Sequence, residues 1–178
     1  MTLFLGIPPK SGIDWNHFPY FAIDHYLRGW LGSCCGQHTG IRIVTTDKRH
    51  VMTPQDGLVY LVGDRTDSVI ARVGAAESPN FDIGQTSIKY GSDAGMISEV
   101  YVNPFGTSYA AAATVYHELL HNKFQIFFVD VHATAGGNFT TATAPYDLGG
   151  PSAADQDLMC RALSATATQC QAGFDLPG

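Results

Sequence analysis

Between Thr114 and Lys123 the chain reads Thr-Val-Tyr-His-Glu-Leu-Leu-His-Asn-Lys, which sets His117 and His121 four residues apart with Glu118 directly after the first. On a helix, residues at that spacing share a face with Cβ atoms about 5–6 Å apart, so both imidazoles can reach one ion. Glu118 projects about 100° around the helix, which suits a carboxylate that touches a water rather than the ion itself. Zinc lowers the pKa of a water to about 7, and a carboxylate beside it can take that proton and pass it to a leaving amine. The chemistry these residues suggest is peptide-bond hydrolysis. The flanking sequence favours the helix that this chemistry needs: Thr107 or Ser108 is a suitable N-cap after Pro104 and Gly106, and Ala110–Ala113 propagates a helix well.

Two histidines do not complete a catalytic zinc site, which takes three protein ligands and keeps a fourth position open. His132 is the leading candidate for the third, because it follows the helix in a turn-prone stretch and neutral imidazole is a common zinc ligand. The carboxylate alternatives are Asp130, Asp147, Asp155 and Asp157. No glutamate follows Glu118, so a downstream Glu is excluded. Asp130, two residues before His132, is also placed to orient an imidazole rather than to ligate. His17 and His25, in or beside an N-terminal helix, read as capping or core polar groups.

The chain's 178 residues make one domain, 1–178, with a sizeable core. A net charge of −6 argues against nucleic acid and anionic membranes as partners, leaving a protein or peptide substrate as the expected one. No apolar run approaches the ~18 residues of a membrane span, and Met1–Ile7 is too short for a signal peptide. The low share of charged residues, 15%, and an even count of four cysteines lean towards an exported protein, while the absent leader and compact size suggest an effector domain cut from a longer, delivered one. Cys34 and Cys35 are adjacent and rarely pair with each other, so Cys160–Cys170 is the expected disulfide.

The coarse pattern is α+β. A helix over Asp14–Leu31 carries the stripe Tyr20, Ile23, Leu27 and Trp30, and ends at Gly32. Strands are expected at Ile41–Thr46, Leu58–Val62 and Val69–Val73, the second buried on both faces. Gly63–Asp67 reads as a hairpin making the last two antiparallel. A broken strand around Thr86–Tyr90 and a strand at Ile97–Asn103 follow. The second puts Ser98, Val100 and Val102 on one face and Ile97, Glu99 and Tyr101 on the other. Ala133–Gly150 is a long loop lying over something, and Ser152-Ala-Ala-Asp155 resembles a capping box opening a last helix with Leu158, Met159, Ala162 and Leu163 buried. The sum is a mixed, mostly antiparallel, twisted sheet of four to five strands with a backing helix, an active-site helix and a C-terminal helix.

With these residues in hand, the chain resembles the zincin metallopeptidases, and among them the metzincins, across roughly residues 14–165. The resemblance implies His117, His121 and His132 as ligands of one zinc ion and Glu118 as general base. It also implies Ile97–Asn103 as an edge strand binding an extended peptide antiparallel, with Glu99, Tyr101 and Asn103 at the substrate. Tyr146 would be the phenol donor to an oxyanion, as against a generic loop aromatic, and Met159 either the methionine beneath the metal or a core residue. The chain departs from that family's longer motif, His-Glu-x-x-His-x-x-Gly-x-x-His: Phe124 stands at the glycine and Phe127 at the third histidine. Two other readings carry different tests: an effector peptidase acting after delivery, and a non-catalytic protein whose zinc only stabilises the fold.

Overall fold

The computed structural model describes residues 2–16, 20–34, 37–45, 56–75, 77, 83–89, 95–105, 107–124, 130–141 and 146–163. In chain order these form β1 (Thr2–Gly6), α1 (Tyr20–Leu31), β2 (Ser33–Cys34), β3 (Gln37–His38), β4 (Gly40–Val44), β5 (Gly57–Val62), α2 (Val69–Arg72), β6 (Gly84–Lys89), β7 (Gly95–Tyr101), α3 (Ser108–Phe124) and α4 (Ala153–Leu163). Single 3-10 turns cover Arg65–Asp67 and Val131–Ala133. The class is α+β, as expected, with a five-stranded mixed sheet in the order β4-β1-β5-β7-β6; β2 and β3 pair separately.

The sheet is mixed, as expected, but its described pairings are mostly parallel rather than mostly antiparallel. β1 runs parallel to β4 and β5, β5 runs parallel to β7, and β6 is antiparallel to β7. Parallel neighbours need a crossover, and α1 makes one between β1 and β4, while the segment through α2 and β6 separates β5 from β7. Val69–Arg72 is accordingly helix rather than the expected strand, and Gly63–Asp67 is no hairpin. The β-branched residues there are overruled by capping. Ser68 Oγ accepts from the Ala71 amide, and the Glu99 carboxylate accepts from the amides of Val69 and Ile70, satisfying donors that a short helix leaves bare.

The sheet is covered on both faces. Leu3 and Leu5 of β1, Val59 and Leu61 of β5 and Val100 of β7 pack against Ile23, Leu27 and Leu31 of α1 and against the buried length of α3. Leu58, Tyr60, Val62, Ile97 and Tyr101 face the other way, onto Val69 and Ile70 of α2. That two-sided burial explains the unbroken apolar run of β5. β7 lies between β5 and β6, so the edge assigned to Ile97–Asn103 belongs instead to β6.

The capping signals at α3 and α4 hold. Thr107 Oγ1 accepts from the Ala110 amide at 3.2 Å; Ser152 and Asp155 exchange bonds between side chain and amide in both directions, at 3.1 and 2.8 Å. Among the described residues no helix is long and apolar enough to cross a membrane.

Candidate metal centre

Helix α3 carries His117 and His121 on one face, and the chain returns so that the turn Val131–Ala133 brings His132 over them. Asp130 caps that turn, its carboxylate accepting from the His132 amide at 3.0 Å. Three Nε2 atoms then converge: 3.0 Å from His117 to His121, 3.0 Å from His121 to His132 and 3.2 Å from His132 to His117. These three residues are close enough to bind one metal ion. Four ligands placed tetrahedrally about 2.0–2.1 Å from an ion stand about 3.3–3.4 Å apart, so the triangle needs to open by only a few tenths of an ångström.

The protonation states suit the same purpose. His117 Nδ1 lies 2.6 Å from the Phe139 carbonyl oxygen, which can only accept, so Nδ1 carries the hydrogen and the Nε2 lone pair faces the other two rings. Burial pulls the His117 pKa down to about 4, with His132 adding to the effect and the Phe139 carbonyl opposing it. Burial, then His117 and His132, pull His121 down to about 3. Both are neutral imidazoles at pH 7, the form that ligates.

Glu118, on the next position of α3, turns towards the edge strand β6. Its Oε2 accepts from the Thr86 hydroxyl at 2.6 Å, and Thr86 also bonds Ser98 at 2.8 Å. Burial pushes the Glu118 carboxyl up to about 8, Glu99 adds to this, and the Thr86 hydrogen bond works against it. Space beside the carboxylate depends on Gly84: a Cβ built there would stand 3.0 Å from Glu118 Oε1 and 3.0 Å from the Glu99 carbonyl oxygen.

The segment after the turn closes over the centre. Phe139 is fully buried among Trp30, Tyr109, Tyr116 and Tyr146. The Tyr146 ring sits 6.3 Å from that of His117, and burial raises its hydroxyl pKa, partly countered by a hydrogen bond with Thr114. Asn138 fixes the neighbouring backbone, donating to the carbonyls of Asp147 and Gly150 and accepting from the Asp147 amide. This is the covering that the small-residue stretch 133–150 foreshadows.

Of the expected site residues, His117, His121, His132, Glu118 and Tyr146 come together. Asp130 and Asp147 are not in the metal-binding group: Asp130 supports the turn beneath His132, and Asp147 is exposed. Asp155 is occupied by backbone amides, and Asp157 is exposed beside Arg161. Glu99 and Tyr101, expected at the substrate, are instead buried on the α2 face, bonded to each other and to Gln85. Asn103 is bound into a loop junction, donating to the Gly12 carbonyl and the Asp64 carboxylate. Met159 is a core residue of α4. Cys160 is disulfide-bonded, while Cys170 and Phe127 lie outside the described residues.

Sequence reasoning passed over three contributors. Thr86 falls in a stretch with no motif. The Phe139 group that matters is a backbone carbonyl, which no side-chain pattern announces. Asp155 is visible as a cap but not in its wider set of partners. No protein-family model, curated protein or solved structure matches the chain.

Proposed function

We propose that this protein is a zinc-dependent peptidase. The observation that carries the reading is the convergence of three imidazole Nε2 atoms within 3.2 Å of one another, two of them on helix α3, where the residue after His117 is the buried carboxyl of Glu118. Zinc held by His117, His121 and His132 would polarise the scissile carbonyl and acidify the attacking water. With the charge of a bound zinc favouring its ionised form, Glu118 would take up the proton of that water and deliver it to the amine that leaves. Thr86 keeps the Glu118 carboxylate facing the sheet edge while it does so. Tyr146, beside His117, is the donor available to a developing oxyanion, exchanging its bond with Thr114 for one to substrate. The substrate is an extended peptide, for which β6, the last strand in the order of the described sheet and next to Glu118, is the neighbouring backbone.

The test combines metal analysis with a broad peptide library. The wild type takes up one zinc per chain and cleaves the library. Glu118→Gln keeps the zinc and loses cleavage, because the carboxylate is not a ligand; His132→Ala loses the zinc. A wild type that binds zinc and gains thermal stability from it, yet cleaves nothing, would sink the enzymatic reading and leave a zinc-stabilised fold.

A further inference from the structure

Asp155 lies outside the three-histidine group, is fully buried and gathers more donors than a helix cap requires. Its Oδ2 accepts from the amides of Ser152 at 2.8 Å, Phe139 at 2.9 Å and Asn138 at 2.9 Å. Its Oδ1 accepts from the Thr140 hydroxyl at 2.9 Å and the amides of Asn138 at 3.1 Å and Thr140 at 3.2 Å. Only Ser152 belongs to the cap of α4. The other donors are three consecutive residues of the covering segment, and the middle one is Phe139. Close approach at this point is specific to the chain: a Cβ at Gly137 would overlap Thr140 Oγ1 and stand 2.9 Å from Asp155 Oδ1.

Phe139 is held at both ends of its backbone. Its amide is fixed by Asp155, and its carbonyl accepts from His117 Nδ1. A carbonyl so fixed selects the imidazole tautomer with hydrogen on Nδ1 and leaves the Nε2 lone pair facing His121 and His132. Groups behind a metal ligand set its orientation and basicity in this way, and losing one typically weakens metal binding about 10–100-fold.

We propose that Asp155 is a positioning residue of the metal centre: through the Phe139 backbone it holds His117 in the tautomer and direction that ligate. The assignment rests on the metal-binding reading above. Asp155 touches neither ion nor substrate and takes no part in proton transfer. The short side chain of an aspartate, 23 residues beyond His132 in the chain, thereby joins α4 to a ligand on α3.

The protein, freed of metal by chelation, supplies two readouts: the His117 tautomer from long-range proton–nitrogen correlations, and zinc affinity by competition with a chromogenic chelator. In the wild type His117 carries its hydrogen on Nδ1. In Asp155→Asn, whose amide nitrogen cannot accept from backbone N–H groups, the two tautomers mix and zinc binds about 10–100-fold more weakly. Val69→Ala, on the opposite face of the sheet, loses stability without touching this path and leaves both readouts at wild-type values. Thr140→Val removes one donor and keeps the carboxylate, giving a smaller fall in the same direction, and decides the matter if Asp155→Asn does not fold. Wild-type affinity and tautomer in folded Asp155→Asn, or in Thr140→Val when the former is unfolded, overturns the assignment. So does an equal loss of affinity in Val69→Ala, which would make stability the whole cause. A wild type that takes up no zinc removes the metal reading itself, a result distinct from any of these.

Discussion

Glu99 and Glu118 are both buried, at 0% and 5% exposure, on the two sides of β7, and they stand in opposite chemical situations. The Glu99 carboxylate is met by the Ser68 and Tyr101 hydroxyls, the Gln85 amide and the backbone amides of Val69 and Ile70. Among the described residues, the Glu118 carboxylate takes one side-chain hydrogen bond, from Thr86. The first is fixed in a finished network that holds α2 against the sheet. The second is withdrawn from water without being supplied with replacements, which is why its affinity for a proton rises. Depth alone therefore does not set a carboxyl's affinity for a proton; depth with few donors raises it.

Glutamine at each position separates the two roles. Glu118→Gln is expected to lower the rate of peptide cleavage by about 10²–10⁴-fold, as for loss of a general base. Its unfolding midpoint in urea should shift little, by less than about 1 kcal/mol, since the amide still accepts from Thr86. Glu99→Gln should do the reverse, costing about 2–4 kcal/mol because an amide nitrogen turns towards groups that also donate. Its zinc content should be unchanged. If Glu99→Gln proved neutral in urea, the contrast would be gone.

Gly84→Ala tests the space beside Glu118. The new Cβ meets Glu118 Oε1 and the Glu99 carbonyl at 3.0 Å, so the carboxylate or the β6 backbone must give way. A loss of about 1–3 kcal/mol in stability is expected, with reduced cleavage and intact metal binding. Unaltered cleavage would show that the space is not used.

The smallest effect concerns pH. Burial works to raise the Asp155 pKa, but the amides of Phe139, Ser152 and Asn138 and the Thr140 hydroxyl more than offset it, leaving the carboxyl below its ordinary value of 3.8. Its folded form binds a proton less readily than its unfolded form, so its stabilisation is present above about pH 4 and is lost as pH falls further. Urea midpoints measured from pH 6 to pH 3 should fall more steeply in the wild type than in Asp155→Asn. Parallel curves would leave Asp155 without this contribution.

The residues that carried their structure openly in the sequence are those whose partners are close in the chain. His117 and His121 one turn apart, Thr107 and Ser152 as caps, and the two-sided apolar run Leu58–Val62 all rest on local spacing. His132 stands out less sharply: the two-histidine set is incomplete, and a turn-prone position and an imidazole favour it while four aspartates remain open as alternatives. Parallel order among β1, β4, β5 and β7 was not legible, since it depends on crossovers rather than on any strand's composition. Val69 and Ile70 pointed to a strand until Glu99, about thirty residues away, supplied acceptors for their amides. Thr86 and Asp155 escaped for the same reason: their contacts join segments that are distant in sequence, and composition holds no record of such meetings.

The two helical histidines and the third one are anchored very unequally. Helix α3 is buried along most of its length and tied at its far end by Lys123, whose ammonium donates to the Asp56 carbonyl, whereas His132 stands exposed on a three-residue turn. An ion held there would sit between a buried helix and an exposed turn, so any adjustment to its radius would fall to residues 130–134.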